Sequence, residues 1–181
     1  MATLGRCLSE KTVACVNAGH LGVFTTSDLA LLSCRKPDLA FAQTLSKVTK
    51  AGYLRKVGRG LYINPLSPPN KIGTLERVAR LIRPYDFMYV SLETELSRAG
   101  WISQVQFGYL TVMTSGRSGA HRTDFGTIEF THTKKDPFEI MDCLYFDSEI
   151  GYFRARPELA LRDLRRVGRN IHMIEEEVLN A

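Results

Sequence analysis

The chain has 181 residues, of which 44% are hydrophobic and 24% charged, with a net charge of +5. That balance suits one ordinary globular domain or two small ones and excludes a disordered chain. Its longest apolar runs, such as Leu29–Leu32, fall far short of the roughly 20 residues that span a bilayer. No membrane partner is expected. Residues 1–10 lack the basic stretch and apolar core of a secretory signal, so the expected location is the cytoplasm. The four cysteines, at 7, 15, 34 and 143, form no C-x-x-C pair; most of them read as reduced, buried small hydrophobes, and no zinc site is expected.

The positive charge is concentrated at one end. Residues 1–66 hold nine Lys and Arg but three acids, Glu10, Asp28 and Asp38, and are therefore +6, while residues 67–181 are −1. A polyanionic partner for the first third follows as an expectation. The charge balance breaks where Asn64-Pro65-Leu66-Ser67-Pro68-Pro69-Asn70 interrupts all periodicity. We expect a module over 1–66, a linker there, and a second module over 71–181.

In chain order, Glu10 to Ala18 reads as a helix stopped at Gly19. Thr25 and Thr26 are both candidates to cap a short second helix through Leu32, with Asp28 in its first turn. Pro37-Asp38 opens a third helix to about Ala51. On it Phe41, Leu45 and Val48 make a buried stripe, and Gln43, Lys47 and Lys50 recur on the opposite face. The short β-like runs Leu54–Val57 and Leu61–Ile63 flank Gly58-Arg59-Gly60 as a hairpin.

Three helices followed by a hairpin is the order of a winged helix-turn-helix. The third helix is sized for a major groove, and Gln43, Lys47 and Lys50 are groups that reach bases or phosphates. Arg59 at the hairpin tip, with Arg55 and Lys56 on its first strand, suits flanking phosphates or a minor groove. Thr25, Thr26, Arg35 and Lys36 complete the candidate DNA-binding set. Winged helices also serve as protein–protein modules, so a module that binds a protein partner without specific DNA binding stays open.

The second module reads as a small α+β domain with antiparallel strands. Helices are expected over Thr74–Arg83 and Ser91–Ala99, the latter with Ser91 as its cap, and strands over Tyr109–Met113 and Thr127–Thr131. Thr114–Gly126 between them reads as a loop. Cys143–Phe146 and Tyr152–Arg156 read as an antiparallel pair. Pro157-Glu158 starts a helix with Ala160, Leu161, Leu164 and Val167 on one face, and Ile171–Leu179 reads as a last amphipathic stretch.

Catalytic signals are weak. Ser115-Gly116-Arg117-Ser118-Gly119 is no phosphate loop, since it lacks the G-x-x-x-x-G-K-[ST] pattern. Ser115, His121 and Asp124 have the residue types of a hydrolase triad but share one short segment. The four histidines show no metal-ligand spacing. Glu93 and Glu95, two apart on a helix, point to different faces and make a poor acid–base pair, and Glu175-Glu176-Glu177 reads as a solvated face. A nuclease-like enzyme would need clustered carboxylates that the sequence does not display. No catalytic residue, metal or cofactor is expected. Arg117, His121 and Arg122 form a possible secondary anion or partner contact.

Four stretches together resemble the AbiEi antitoxin family, the antitoxin and transcriptional-regulator component of bacterial abortive-infection, type IV toxin–antitoxin systems. They are Val57-Gly58-Arg59-Gly60-Leu61-Tyr62, the run Tyr89 to Gly100 with its Y-x-S start, Phe125-Gly126-Thr127-Ile128-Glu129-Phe130, and Ala155-Arg156-Pro157-Glu158-Leu159-Ala160-Leu161-Arg162-Asp163. The resemblance covers roughly residues 10–165. It implies a cytoplasmic bacterial protein whose N-terminal winged helix binds operator DNA and represses its own operon. It also implies a C-terminal part that counteracts a nucleotidyltransferase-like toxin. Phe125, Gly126, Pro157, Glu158 and Asp163 would then be fold determinants.

Overall fold

A computed structural model describes residues 2–69, 73–103 and 107–174. The chain is α+β and divides into two compact units, residues 1–74 with 123–125 and residues 75–122 with 126–181.

The first unit contains α1 (Ala2–Asn17), β1 (Val23–Thr25), α2 (Thr26–Leu32), α3 (Leu39–Lys50), β2 (Arg55–Gly58) and β3 (Leu61–Ile63). Helix α1 begins eight residues before the expected Glu10. Its N-terminal half is held by tertiary contacts: Leu8 is fully buried, and a Cβ on Gly5 would lie 2.4 Å from the Tyr53 ring, so only glycine permits that approach. Helix α2 starts with a reciprocal cap. The Asp28 amide donates to Thr25 Oγ1 at 3.1 Å, and the Thr25 amide donates to Asp28 Oδ2 at 2.7 Å. Asp38 caps α3 by accepting from the Phe41 amide at 2.8 Å.

The strands form a sheet in the order β1-β3-β2, antiparallel throughout. The hairpin was expected and β1 was not. Gly60 closes the β2–β3 turn with φ +72, a conformation that favours glycine, and its carbonyl accepts from the Thr26 amide at 3.1 Å. The core of this unit joins Leu8, Phe24, Leu29, Phe41, Leu45, Val48, Leu54 and Tyr62. Asn64, fully buried after β3, donates to the Ser9 carbonyl at 2.8 Å and to Thr12 Oγ1 at 2.9 Å, tying the end of the sheet to α1. The expected linker thus begins inside packed structure; its last residue, Asn70, lies outside the described residues.

The second unit contains α4 (Thr74–Ile82), β4 (Met88–Val90), α5 (Glu93–Arg98), β5 (Tyr109–Thr114), β6 (Gly119–Thr123), β7 (Gly126–His132), α6 (Pro137–Ile140), β8 (Leu144–Asp147), β9 (Tyr152–Ala155) and α7 (Pro157–Val167). Its six strands run in the order β6-β7-β5-β4-β9-β8. The expectation of antiparallel strands holds for β4–β5 and β8–β9, but β5–β7 and β4–β9 are parallel, so the sheet is mixed. The expected loop Thr114–Gly126 contains β6, which pairs with β7 along one edge. Helices α5 and α7 pack together over Tyr89, Met113, Leu144 and Ala155 with Leu92, Leu96, Leu159, Ala160 and Leu164.

Ser91 does not cap α5. Leu92 occupies that position, with φ 59 and ψ −141 and no side-chain cap bond, while the Ser91 hydroxyl turns to Asp163. Bonds to Thr111 hold the turn: the Ser91 amide donates to the Thr111 carbonyl, Thr111 Oγ1 donates to the Ser91 carbonyl at 2.5 Å, the Thr94 amide donates to Thr111 Oγ1 at 3.1 Å, and the Thr111 amide donates to Thr94 Oγ1 at 2.9 Å. Gly168 ends α7 in the left-handed conformation. Ile171–Met173 is one 3₁₀ turn. Ile174 is buried and bridges to Ile102, and the rest of the expected amphipathic stretch, with Glu175–Glu177, lies outside the described residues.

Candidate nucleic-acid interface

The amphipathic character of α3 sets the geometry of the candidate surface. Phe41, Leu45 and Val48 are buried at spacings of four and three, so residues offset by half a turn must face water. Gln43, Lys47 and Lys50 do so, and Leu39, Ala40 and Ser46 complete the same outer face. These last three escaped the sequence reading, which took only cationic and amide side chains on that face. The signal that finds them is periodicity, since Leu39, Gln43, Ser46 and Lys50 recur every three or four residues opposite the buried stripe.

Arg35 and Lys36 lie exposed in the turn before α3, and Arg55, Lys56 and Arg59 are exposed on β2 and its turn. Among the described residues, Arg35, Lys36, Lys47, Lys50, Lys56 and Arg59 have no ion-pair partner. Their charges are therefore available to an anion. Arg55 is the exception, with Nε 4.0 Å from Asp124 Oδ2 and both side chains about half exposed. Such a pair is worth little and yields readily to a phosphate.

The two threonines separate from this set. Thr25 Oγ1 is committed to Asp28, accepting from its amide and donating to Oδ2 at 2.8 Å. It is the capping group of α2. Thr26 is half-buried at the start of α2, and its amide is engaged by Gly60 beside Arg59. Lys11, absent from the candidate set, donates to the last α2 carbonyl, Leu32, at 2.5 Å.

In the second unit, Arg117 and Arg122 are exposed and His121 is half-buried on β6. The Arg117 carbonyl accepts from Arg83. Ser115, the would-be nucleophile, accepts from the Phe87 amide at 3.0 Å, a turn-fixing role. Among the described residues no group of three or more His, Cys, Asp or Glu side chains could hold a metal ion, and no helix is long and apolar enough to cross a membrane.

The buried carboxylates of the second unit, Glu93, Glu95 and Asp163, are instead held in ion networks. Arg154, 4% exposed, donates to Glu95 Oε1 at 2.5 Å, Glu76 Oε1 at 2.9 Å and Asp147 Oδ2 at 2.9 Å. Burial works against its charge, but the three carboxylates outweigh that and hold the guanidinium above its ordinary range. Burial also pushes the Glu95 carboxyl up, against the pull of Arg154. Glu93 faces a different group: Arg169 Nη2 donates to it at 3.1 Å and Asn170 Nδ2 at 2.8 Å. Arg169 also pairs with Glu129, which accepts from the Tyr109 hydroxyl; that bond, with burial, pushes the phenol up to about 12. Glu93 and Glu95 thus serve separate networks, as their spacing on the helix implied.

No protein-family model, no curated protein and no solved structure matches the chain.

Proposed function

We propose that the first unit is a winged helix-turn-helix that binds double-stranded DNA. On this reading the chain is a transcriptional regulator of the antitoxin type that represses its own operon. The observation that carries it is the set of exposed cations on the outer face of α3 and on the β2–β3 turn, without ion-pair partners among the described residues; the element order α1-β1-α2-α3-β2-β3 supports the reading. In such a unit α3 enters the major groove and the hairpin grips the flanking backbone. Lys47, Lys50, Lys56 and Arg59 then neutralise phosphates, with Arg35 and Lys36 at the edge of the footprint, and Gln43 reaches base edges.

The buried networks of the second unit support a structural or partner-binding role for that unit over a catalytic one, since its buried carboxylates Glu93, Glu95 and Asp163 are each engaged by a basic side chain. The resemblance to the AbiEi antitoxins adds a nucleotidyltransferase-like toxin as its partner.

The test is binding of the full chain to duplex DNA as salt is raised. Each neutralised phosphate steepens the fall of log K with log salt by about 0.9, so four to six contacts give a slope of about −4 to −5. Binding with no salt dependence, or none at all, overturns the DNA reading. Copurification with the toxin in that case favours a protein-interaction module.

A further inference from the structure

The outer face of α3 is not uniformly polar. Its first residue, Leu39, is 76% exposed, and Ala40 beside it is exposed as well. Neither packs into the core, which takes Phe41, Leu45 and Val48 from the other side of the helix. The face is therefore graded along its length: apolar at Leu39 and Ala40, amide at Gln43, hydroxyl at Ser46, cationic at Lys47 and Lys50. The charge sits in the last turn, where it also complements the helix dipole.

A helix docked in the major groove by its N-terminal turns places those turns against base edges and its far end near the backbone. Each class of group then meets a different part of the duplex. Alkyl groups match one feature of the groove, the C5 methyl of thymine; a carboxamide matches the N6 and N7 edge of adenine. Ammonium groups match phosphates.

We infer that α3 reads an A·T-containing step, with Leu39 and Ala40 packed on a thymine methyl and Gln43 paired to a neighbouring adenine. This rests on the DNA-binding reading above and names the sequence class that the site takes. Exposure of Leu39 is then a functional cost, an alkyl side chain kept in water until a methyl covers it.

The experiment selects preferred duplexes from a random pool with the full chain, then replaces each thymine of the selected site in turn by deoxyuridine, which removes only the methyl. One or two positions should lose about fourfold in affinity, the worth of one buried methyl, with the salt slope unchanged. Leu39→Ala should bind the thymine duplex more weakly and lose most of its sensitivity to deoxyuridine at that position, the signature of direct coupling. Its melting temperature should match the parent, because the side chain is exposed. Gln43→Ala should relax the choice of base at the adjacent position.

Uracil-insensitive binding that retains its salt slope would overturn this inference and leave the DNA-binding reading standing. Loss of all salt-dependent duplex binding would overturn both. A deoxyuridine effect that persists undiminished in Leu39→Ala would place the methyl contact elsewhere and also overturn it.

Discussion

Lys135 Nζ donates to Asp163 Oδ1 at 2.7 Å, while the opposite oxygen, Oδ2, accepts from the Ser91 hydroxyl at 2.9 Å and the Tyr89 hydroxyl at 3.0 Å. Asp163 is fully buried, so one carboxylate on α7 ties together β4, the turn into α5, and the segment after β7. Burial and the nearby Asp163 charge push the Tyr89 phenol well above its usual range, which keeps it a donor.

Asp163→Ala should therefore destabilise the second unit by about 3–5 kcal/mol, because it leaves two buried hydroxyls and a largely buried ammonium without their acceptor. Asp163→Asn should lose less, since its amide oxygen still accepts. Urea unfolding of both variants gives the comparison. An unchanged midpoint in Asp163→Ala would remove the structural assignment.

Asn64→Ala should cost about 1–3 kcal/mol, the penalty for unsatisfied buried groups. Its amide holds α1 through Ser9 and Thr12, and its carbonyl accepts from the Leu66 amide at 2.9 Å. The loss should appear as faster hydrogen exchange in the N-terminal unit, with amides of the six-stranded sheet unaffected.

Acid should weaken the second unit through Asp147. Burial opposes its charge, but hydrogen bonds from Arg154 and from the amides of Ile150 and Glu149 win, and hold its carboxyl below the ordinary value. A depressed folded value means that the stabilisation is complete above the unfolded value of about 3.9 and is lost as pH falls through the folded one. Glu95 acts in the opposite sense: its value is raised on folding, so its favourable contribution lies at low pH and is lost as pH rises. Asp147→Asn should therefore be less stable than the parent at neutral pH, with the gap closing as pH drops below 4. A gap constant from pH 7 to 2 would contradict this.

Local signals account for what was legible in the sequence. Asp38 followed by the 4–3 spacing of Phe41, Leu45 and Val48 fixes α3, Gly58 and Gly60 fix the hairpin, and Pro157 and Gly168 bracket α7. What was hidden depends on partners distant in sequence. Val23–Thr25 is too short to alternate and is a strand because Leu61–Ile63 pairs with it. Gly119–Thr123 has no apolar face and is a strand because β7 supplies the ladder. The parallel register of Tyr109–Thr114 with Gly126–His132 has no local signature. At the candidate site, cations and an amide were visible as residue types, whereas Leu39, Ala40 and Ser46, apolar or small, were legible only through the periodicity that sets them opposite Phe41, Leu45 and Val48.

Lys47→Ala and Arg59→Ala should separate cleanly from Gln43→Ala. All three side chains are exposed, so none should shift the melting temperature by more than a degree or two. Lys47 lies on the flank of α3 toward its C-terminal end, and Arg59 at the tip of a two-stranded turn. Neither has an ion-pair partner among the described residues, so each can pair with a phosphate without first breaking a protein contact. Phosphate contacts carry no sequence information. Each loss should weaken specific and random duplexes alike and flatten the salt slope by about one. Gln43 stands midway along the exposed stripe, where its amide can make two bonds to one base. Its loss should leave random-duplex binding and the salt slope unchanged and narrow the gap between specific and random duplexes by about 1–3 kcal/mol. Titrations at several salt concentrations against both duplexes resolve the two patterns. If all three variants lose specific and random binding equally, α3 is not the helix in the groove.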